Sequence, residues 1–181
     1  MNLYSNFSYF IEPGGDQFQE LDDRKLFGGQ VEQDLDFELG SVPVSNTFGA
    51  QLRNDTIDGV GMRSTRERVF LGDIRFESVD QSSVSTYWQG KAQWTQRLRS
   101  TTSLRYDRFD FDVTSLAAAD PTTLAANSGR KHDAVGTGSL GLIYTVDDSL
   151  ELYANIGQGF HSNDARGVIS RLDPVSGEAI D

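Results

Sequence analysis

From Val84 to Leu98 the side chains alternate, and that period of two limits what this chain can fold into. The even positions read Val84, Thr86, Trp88, Gly90, Ala92, Trp94, Gln96 and Leu98. The odd positions read Ser85, Tyr87, Gln89, Lys91, Gln93, Thr95 and Arg97. Successive side chains of a strand point to opposite faces, so one face is largely apolar with two tryptophans and the other largely polar. Helical spacing would instead put Trp88, Lys91 and Ala92 on one side.

The pattern recurs. Phe27, Gly29, Val31, Leu35, Phe37 and Leu39 alternate with Gln30, Glu32, Asp34, Asp36 and Glu38. Similar runs pass through Val44–Leu52, Ala134–Val146, Leu150–Ile156 and Leu3–Ile11. Between Thr102 and Val113 the phase slips: Leu104 and Tyr106 hold one parity, Phe109, Phe111 and Val113 the other. A β-bulge near Asp107 and Arg108 is the expected cause. Strands are thus predicted over 2–11, 24–39, 44–57, 84–98, 102–114, 131–146 and 149–160. Soluble strands average about 5–6 residues, so these are long. Short turns at Gly40–Pro43, Arg99–Thr101 and Asp147–Ser149 alternate with long polar loops at Glu12–Asp23, Asp58–Ser83, Ser115–Arg130 and from His161 onward. Short turns on one rim and long loops on the other are the layout of an outer-membrane barrel. Strand-like residues within 66–79 suggest strands that project past the membrane. The expected fold is all-β: an antiparallel meander of about seven long strands, an open partial segment of a transmembrane β-barrel.

Charge and hydropathy narrow the function. The net charge is −11 and the pI about 4.5, which disfavours a nucleic-acid partner. The chain has no cysteine, so disulfides, thiolate metal sites and cysteine nucleophiles are excluded. Mean hydropathy is −0.44, and no apolar run approaches the ~18 residues of a membrane helix. A β-barrel escapes that test, because only one face of each strand need be apolar.

Four groupings invite a sharper chemistry. Gly136-Thr-Gly138-Ser-Leu-Gly141 matches a dinucleotide-binding spacing, but it sits inside an alternating strand rather than at a strand-to-helix turn. Glu32, Asp34, Asp36 and Glu38 form a carboxylate row, read as a hydrated lumen face neutralised by neighbours such as Arg53 and Lys91. His161, Ser162 and Asp164 hold the elements of a triad, yet adjacent residues rarely converge as one. Trp88 and Trp94, about 20 Å apart along a strand, read as anchors near the two borders of a lipid-facing band. No catalytic, cofactor or metal site is expected.

The run Leu152-Tyr-Ala-Asn-Ile-Gly-Gln-Gly-Phe-His-Ser-Asn-Asp-Ala-Arg-Gly167 resembles a strand-and-loop signature of TonB-dependent outer-membrane receptors. Trp94–Asp107 with Phe109–Val113 is similar to a periplasmic hairpin of that family, and Asp173–Glu178 to the start of a following loop. The resemblance implies a barrel of about 22 strands, an internal plug, and energy delivered through the TonB system. It implies uptake of a scarce small-molecule solute, such as a siderophore, across the outer membrane. The partners it implies are outer-membrane lipid, the TonB system and that ligand. His161, Asn163, Asp164 and Arg166 match the signature's loop and are the candidate substrate-contacting residues. No plug, TonB box, signal peptide or terminal aromatic strand is recognised, so residues 1–181 are expected to be an internal part of such a barrel. Other outer-membrane barrels, whether porin or enzyme, and a soluble β-rich binding module are the alternative readings.

Overall fold

The structure is a computed structural model that describes residues 2–7, 16–118, 120–160 and 165–180. Its strands are β1 (Asn2–Phe7), β2 (Asp16–Leu39), β3 (Val42–Arg66), β4 (Val69–Gln93), β5 (Leu98–Ala117), β6 (Gly129–Asp147) and β7 (Leu150–Gly157). Two short helices, α1 (Pro121–Ala126) and α2 (Ala165–Ile169), lie in the loops after β5 and β7. The strands form one open antiparallel sheet in chain order.

Register keeps the two faces in phase from β2 to β7 through the half of the sheet next to the short turns. Shifts fall farther along β2, β3 and β4, with one beside the turn between β6 and β7. Phe37, Val44, Ala92, Ser100, Leu142 and Ala154 lie side by side in one row. Asp36, Ser45, Lys91, Thr101, Gly141 and Asn155 form the adjacent row, one residue along each strand. Side chains in adjacent rows point to opposite faces. The first set defines an apolar outer face, the second a polar inner face, as the alternation predicts. Val31, Leu35, Phe37, Val84, Leu104 and Leu152 on the outer face are each more than half exposed. A continuous apolar surface of this kind is unfavourable in water and favourable in lipid.

The apolar rows run from Trp94, just past the end of β4, up to Val84. That is about 33 Å along the strand, or about 25 Å along the membrane normal at a tilt of ~40°. Above this level the outer face becomes charged, with Lys25–Asp58 at 2.7 Å, Arg108–Asp110 at 3.3 Å and Arg130–Asp112 at 2.7 Å. An apolar band of this height takes in residues 27–39, 42–52, 84–94, 98–106, 134–147 and 150–156.

Several expectations need correction. Residues 58–83 are not a long loop: β3 and β4 continue past the band to a two-residue turn. Glu67 (φ 51°) and Arg68 (φ 66°) both adopt the left-handed conformation of a type I′ hairpin turn. Arg99–Thr101 belongs to β5, and the turn before it occupies 94–97. No bulge falls at Asp107 or Arg108, where pairing with both neighbours is regular. Instead Phe111 and Val113 face inward and are buried with Ile57, Val60 and Val79 beneath Ala165 and Ile169 of α2. The phase slip marks the height at which a loop, rather than water, covers the inner face. The tryptophans do not divide between two borders either. The Trp88 indole lies over Gly90, toward the short turns, and donates to Asn46 Oδ1 at 2.9 Å. Trp94 donates to the Ser100 hydroxyl at 2.8 Å on the same side. Phe27 and Tyr106 are the aromatic residues nearer the opposite border.

Candidate inner-wall site at the long-loop rim

Residues two apart on a strand share a face, about 6–7 Å from one another. An arginine can therefore reach a carboxylate two positions on. The inner wall repeats this device: Arg53 with Asp55, Arg75 with Glu77, and Arg105 with Asp107. Asp55, Glu77 and Asp107 are almost fully buried, so each needs a compensating charge and hydrogen bonds. Asp55 accepts from Arg53 Nε at 2.7 Å and Nη2 at 3.0 Å, from Gln81 Nε2 at 3.2 Å, and lies 3.8 Å from Arg24. Asp107 accepts the Ser85 hydroxyl at 2.6 Å and three contacts from Arg105. The sequence reading missed this Arg-x-Asp/Glu spacing, which was the available signal for three inward-facing buried carboxylates.

Above the Arg53 level, α2 and the wall enclose a cavity of about 320 Å³. One side is apolar: Ile57, Val60, Val79, Phe109 and Phe111. Phe109 stacks on Phe111 at 6.1 Å and meets Phe160 edge-on at 5.9 Å. The other side is lined by Arg24, Arg53, Asp55 and Arg166. Arg166 also lies 4.0 Å from Glu77. Arg53 and Arg24 both flank Asp55, and Arg24 also lies 3.2 Å from Asp22, so carboxylates balance the guanidinium groups here. Guanidinium donors facing phenyl rings suit an anion attached to an apolar body, which would share those donors with the wall carboxylates.

Of the four candidates named from sequence, Arg166 lines this cavity. His161, Asn163 and Asp164 lie outside the described residues. The carboxylate row sits on the inner face near the short turns, but its partners differ from those expected. Arg53 turns to Asp55, while Thr47 donates its hydroxyl to Asp34 at 2.7 Å and Tyr87 donates to Glu32. Tyr87 reaches that far because its ring crosses Gly49, where an added Cβ would fall 2.1 Å from the ring. Among the described residues no group of three His, Asp or Glu side chains is arranged to hold a metal ion. The glycine-spaced run 136–141 is continuous strand within β6, so no helix N-terminus follows it to receive a phosphate.

The loops of this rim are locally ordered by carboxylates. Asp120 caps α1, and hydrogen bonds from the Thr123 hydroxyl and the Thr123 and Thr122 amides hold its carboxyl below the usual range. Asp173 is lowered in the same way by the Ser176 and Val175 amides. The sequence model of the family described as TonB dependent receptor-like, beta-barrel matches residues 2–177. No curated protein matches the chain.

Proposed function

The chain belongs to the TonB-dependent receptor β-barrel family, whose members are outer-membrane receptors and transporters, and from that premise we propose that its seven strands form part of a larger closed barrel for TonB-driven solute uptake. The observation that carries the reading is the common phase of the two faces from β2 to β7 through the apolar band. It supports one wall lying against lipid and one against a water-filled or plugged lumen. Transport of this kind makes and breaks no covalent bond. The wall supplies binding and passage, and energy comes through the TonB system.

Solute recognition is assigned to the long-loop rim, where the cavity beneath α2 opens, because loops held on a rigid scaffold carry specificity. Guanidinium groups facing phenyl rings favour an anionic chelate, such as a ferric siderophore, over a neutral glycan. His161, Asn163, Asp164 and Arg166 are its proposed contacts, with Arg24 and the Phe109 ring added from the cavity lining. In the assembled receptor, Arg166→Gln or His161→Ala is expected to weaken ferric-siderophore binding about tenfold or more, the value of one charged hydrogen bond. Thr101→Ala and Asp148→Asn at the opposite rim should leave it within about twofold. Binding titrations with a panel of ferric siderophores make the comparison. Equal losses at both rims would remove the assignment of sides.

A further inference from the structure

Asn127 ends α1 and is only 2% exposed, yet its side chain serves a different loop. Its Oδ1 accepts the backbone N–H groups of Arg171 at 2.9 Å and Leu172 at 3.0 Å. Its Nδ2 donates to the Leu172 carbonyl at 2.8 Å. One primary amide thus satisfies both the donor and the acceptor of Leu172, as a neighbouring strand would. The 120–128 loop is itself fixed to the wall. The Ser115 amide donates to the Ser128 hydroxyl at 2.9 Å, and that hydroxyl donates to the Leu124 carbonyl at 2.7 Å.

The segment that Asn127 grips leads directly back to the cavity. Ser170 closes α2 with a bond from its amide to the Arg166 carbonyl at 2.8 Å. Its hydroxyl accepts from Arg75 Nη2 at 3.1 Å. Ala165 and Ile169 of α2 cover Val79, Ile57 and Phe111. A helix of five residues cannot hold itself together in water, so its position depends on what secures its ends.

We infer that Asn127 is the positioning residue that seats α2, and with it Arg166, on the inner wall, so that the loops after β5 and β7 move as one unit. The Asn127 side chain is buried while Arg171 is exposed and Leu172 half-buried: without the amide, two N–H groups and a carbonyl lose the partners that hold this segment to α1. The inference uses the receptor reading only for which side of the membrane this rim faces.

These 181 residues contain no cysteine, so a thiol placed in this wall, compared with the same receptor lacking it, gives a direct test. Val79→Cys places a thiol under α2, and Ser103→Cys places one lower on the same inner wall. Each is introduced singly into the assembled receptor, and its rate of reaction with a membrane-impermeant thiosulfonate is measured on intact cells. Adding Asn127→Ala is expected to raise the rate at position 79 at least tenfold and to change the rate at 103 less than twofold. Asn127→Asp keeps the acceptor and loses the donor, so it should give an intermediate rate at 79. It also serves as the second variant if the alanine form fails to assemble. An unchanged rate at 79, or rates rising equally at 79 and 103, would overturn the inference, the latter because it signals general loosening of the wall. Reaction at 79 only after the cells are broken would contradict the outward placement of this rim. The ratio of the two rates in broken cells would still decide the role of Asn127.

Discussion

Replacing Leu104 by arginine in the assembled receptor is expected to cost about 2–4 kcal/mol, the range for a charge brought to the mid-plane on the lipid face of a barrel. Leu104 lies on the outer face in the row Gln33–Phe48–Trp88–Leu104–Gly138. Its side chain is 56% exposed, and no water can solvate a guanidinium there. Ser103, one residue earlier, points to the inner face, where its hydroxyl pairs with that of Ser139 at 2.7 Å. Ser103→Arg should therefore cost less than about 1 kcal/mol, since the new charge meets other polar groups and water. The difference amounts to roughly tenfold to a thousandfold in the folding equilibrium. Denaturant titration of folded barrel in lipid vesicles would measure it. Comparable costs at 103 and 104 would show that the faces are wrongly assigned.

The 181-residue chain expressed by itself should aggregate in water, and in detergent it should lack the heat-modifiable gel mobility of a closed barrel. Its sheet is open, with β1 and β7 at the two edges. Each edge presents backbone groups whose partners lipid cannot supply, at several kcal/mol per group. In water the same edges template intermolecular pairing, and the outer face adds a broad apolar surface. The described core, by contrast, is a small cluster beneath α2: Ile57, Val60, Val79, Phe111, Val113, Ala165 and Ile169. Sedimentation and thermal melting by circular dichroism distinguish the outcomes. A monodisperse, water-soluble monomer that melts cooperatively would contradict the barrel account and favour a soluble β-rich module.

The lipid-facing half of the architecture was legible because lipid and lumen impose opposite demands on alternate residues. That contrast ends where the strands leave the membrane. From Asp58 to Ser83 the outer face meets water while the inner face is covered by α2, so the contrast between lipid and lumen is lost and continuous strand reads as loop. The Glu67–Arg68 turn carries no Asn-Gly or Asp-Gly signal, and two non-glycine residues take positive φ instead. Phe109, Phe111 and Val113 look like a register slip because their covering residues, Ala165 and Ile169, lie some fifty positions away in sequence. At the candidate site, Arg166 was found through the loop signature. Arg53 and Asp55 sit two apart on β3, a spacing visible in the sequence, whereas Arg24 reaches Asp55 only through the pairing of β2 with β3.

The central claim is that one face of this sheet lies against lipid and the other faces the lumen. A nitroxide scan along β5 tests it most directly. Single cysteines placed in turn at positions 100–106 of the assembled receptor, in lipid vesicles, are labelled and their collision rates with oxygen and with a water-soluble nickel chelate compared. Oxygen concentrates in lipid and the chelate in water, so the ratio reports each side chain's surroundings. The account predicts a period of two, with oxygen dominant at 100, 102, 104 and 106 and the chelate dominant at 101, 103 and 105. A ratio that is flat along the strand, or that alternates with the opposite parity, would contradict it.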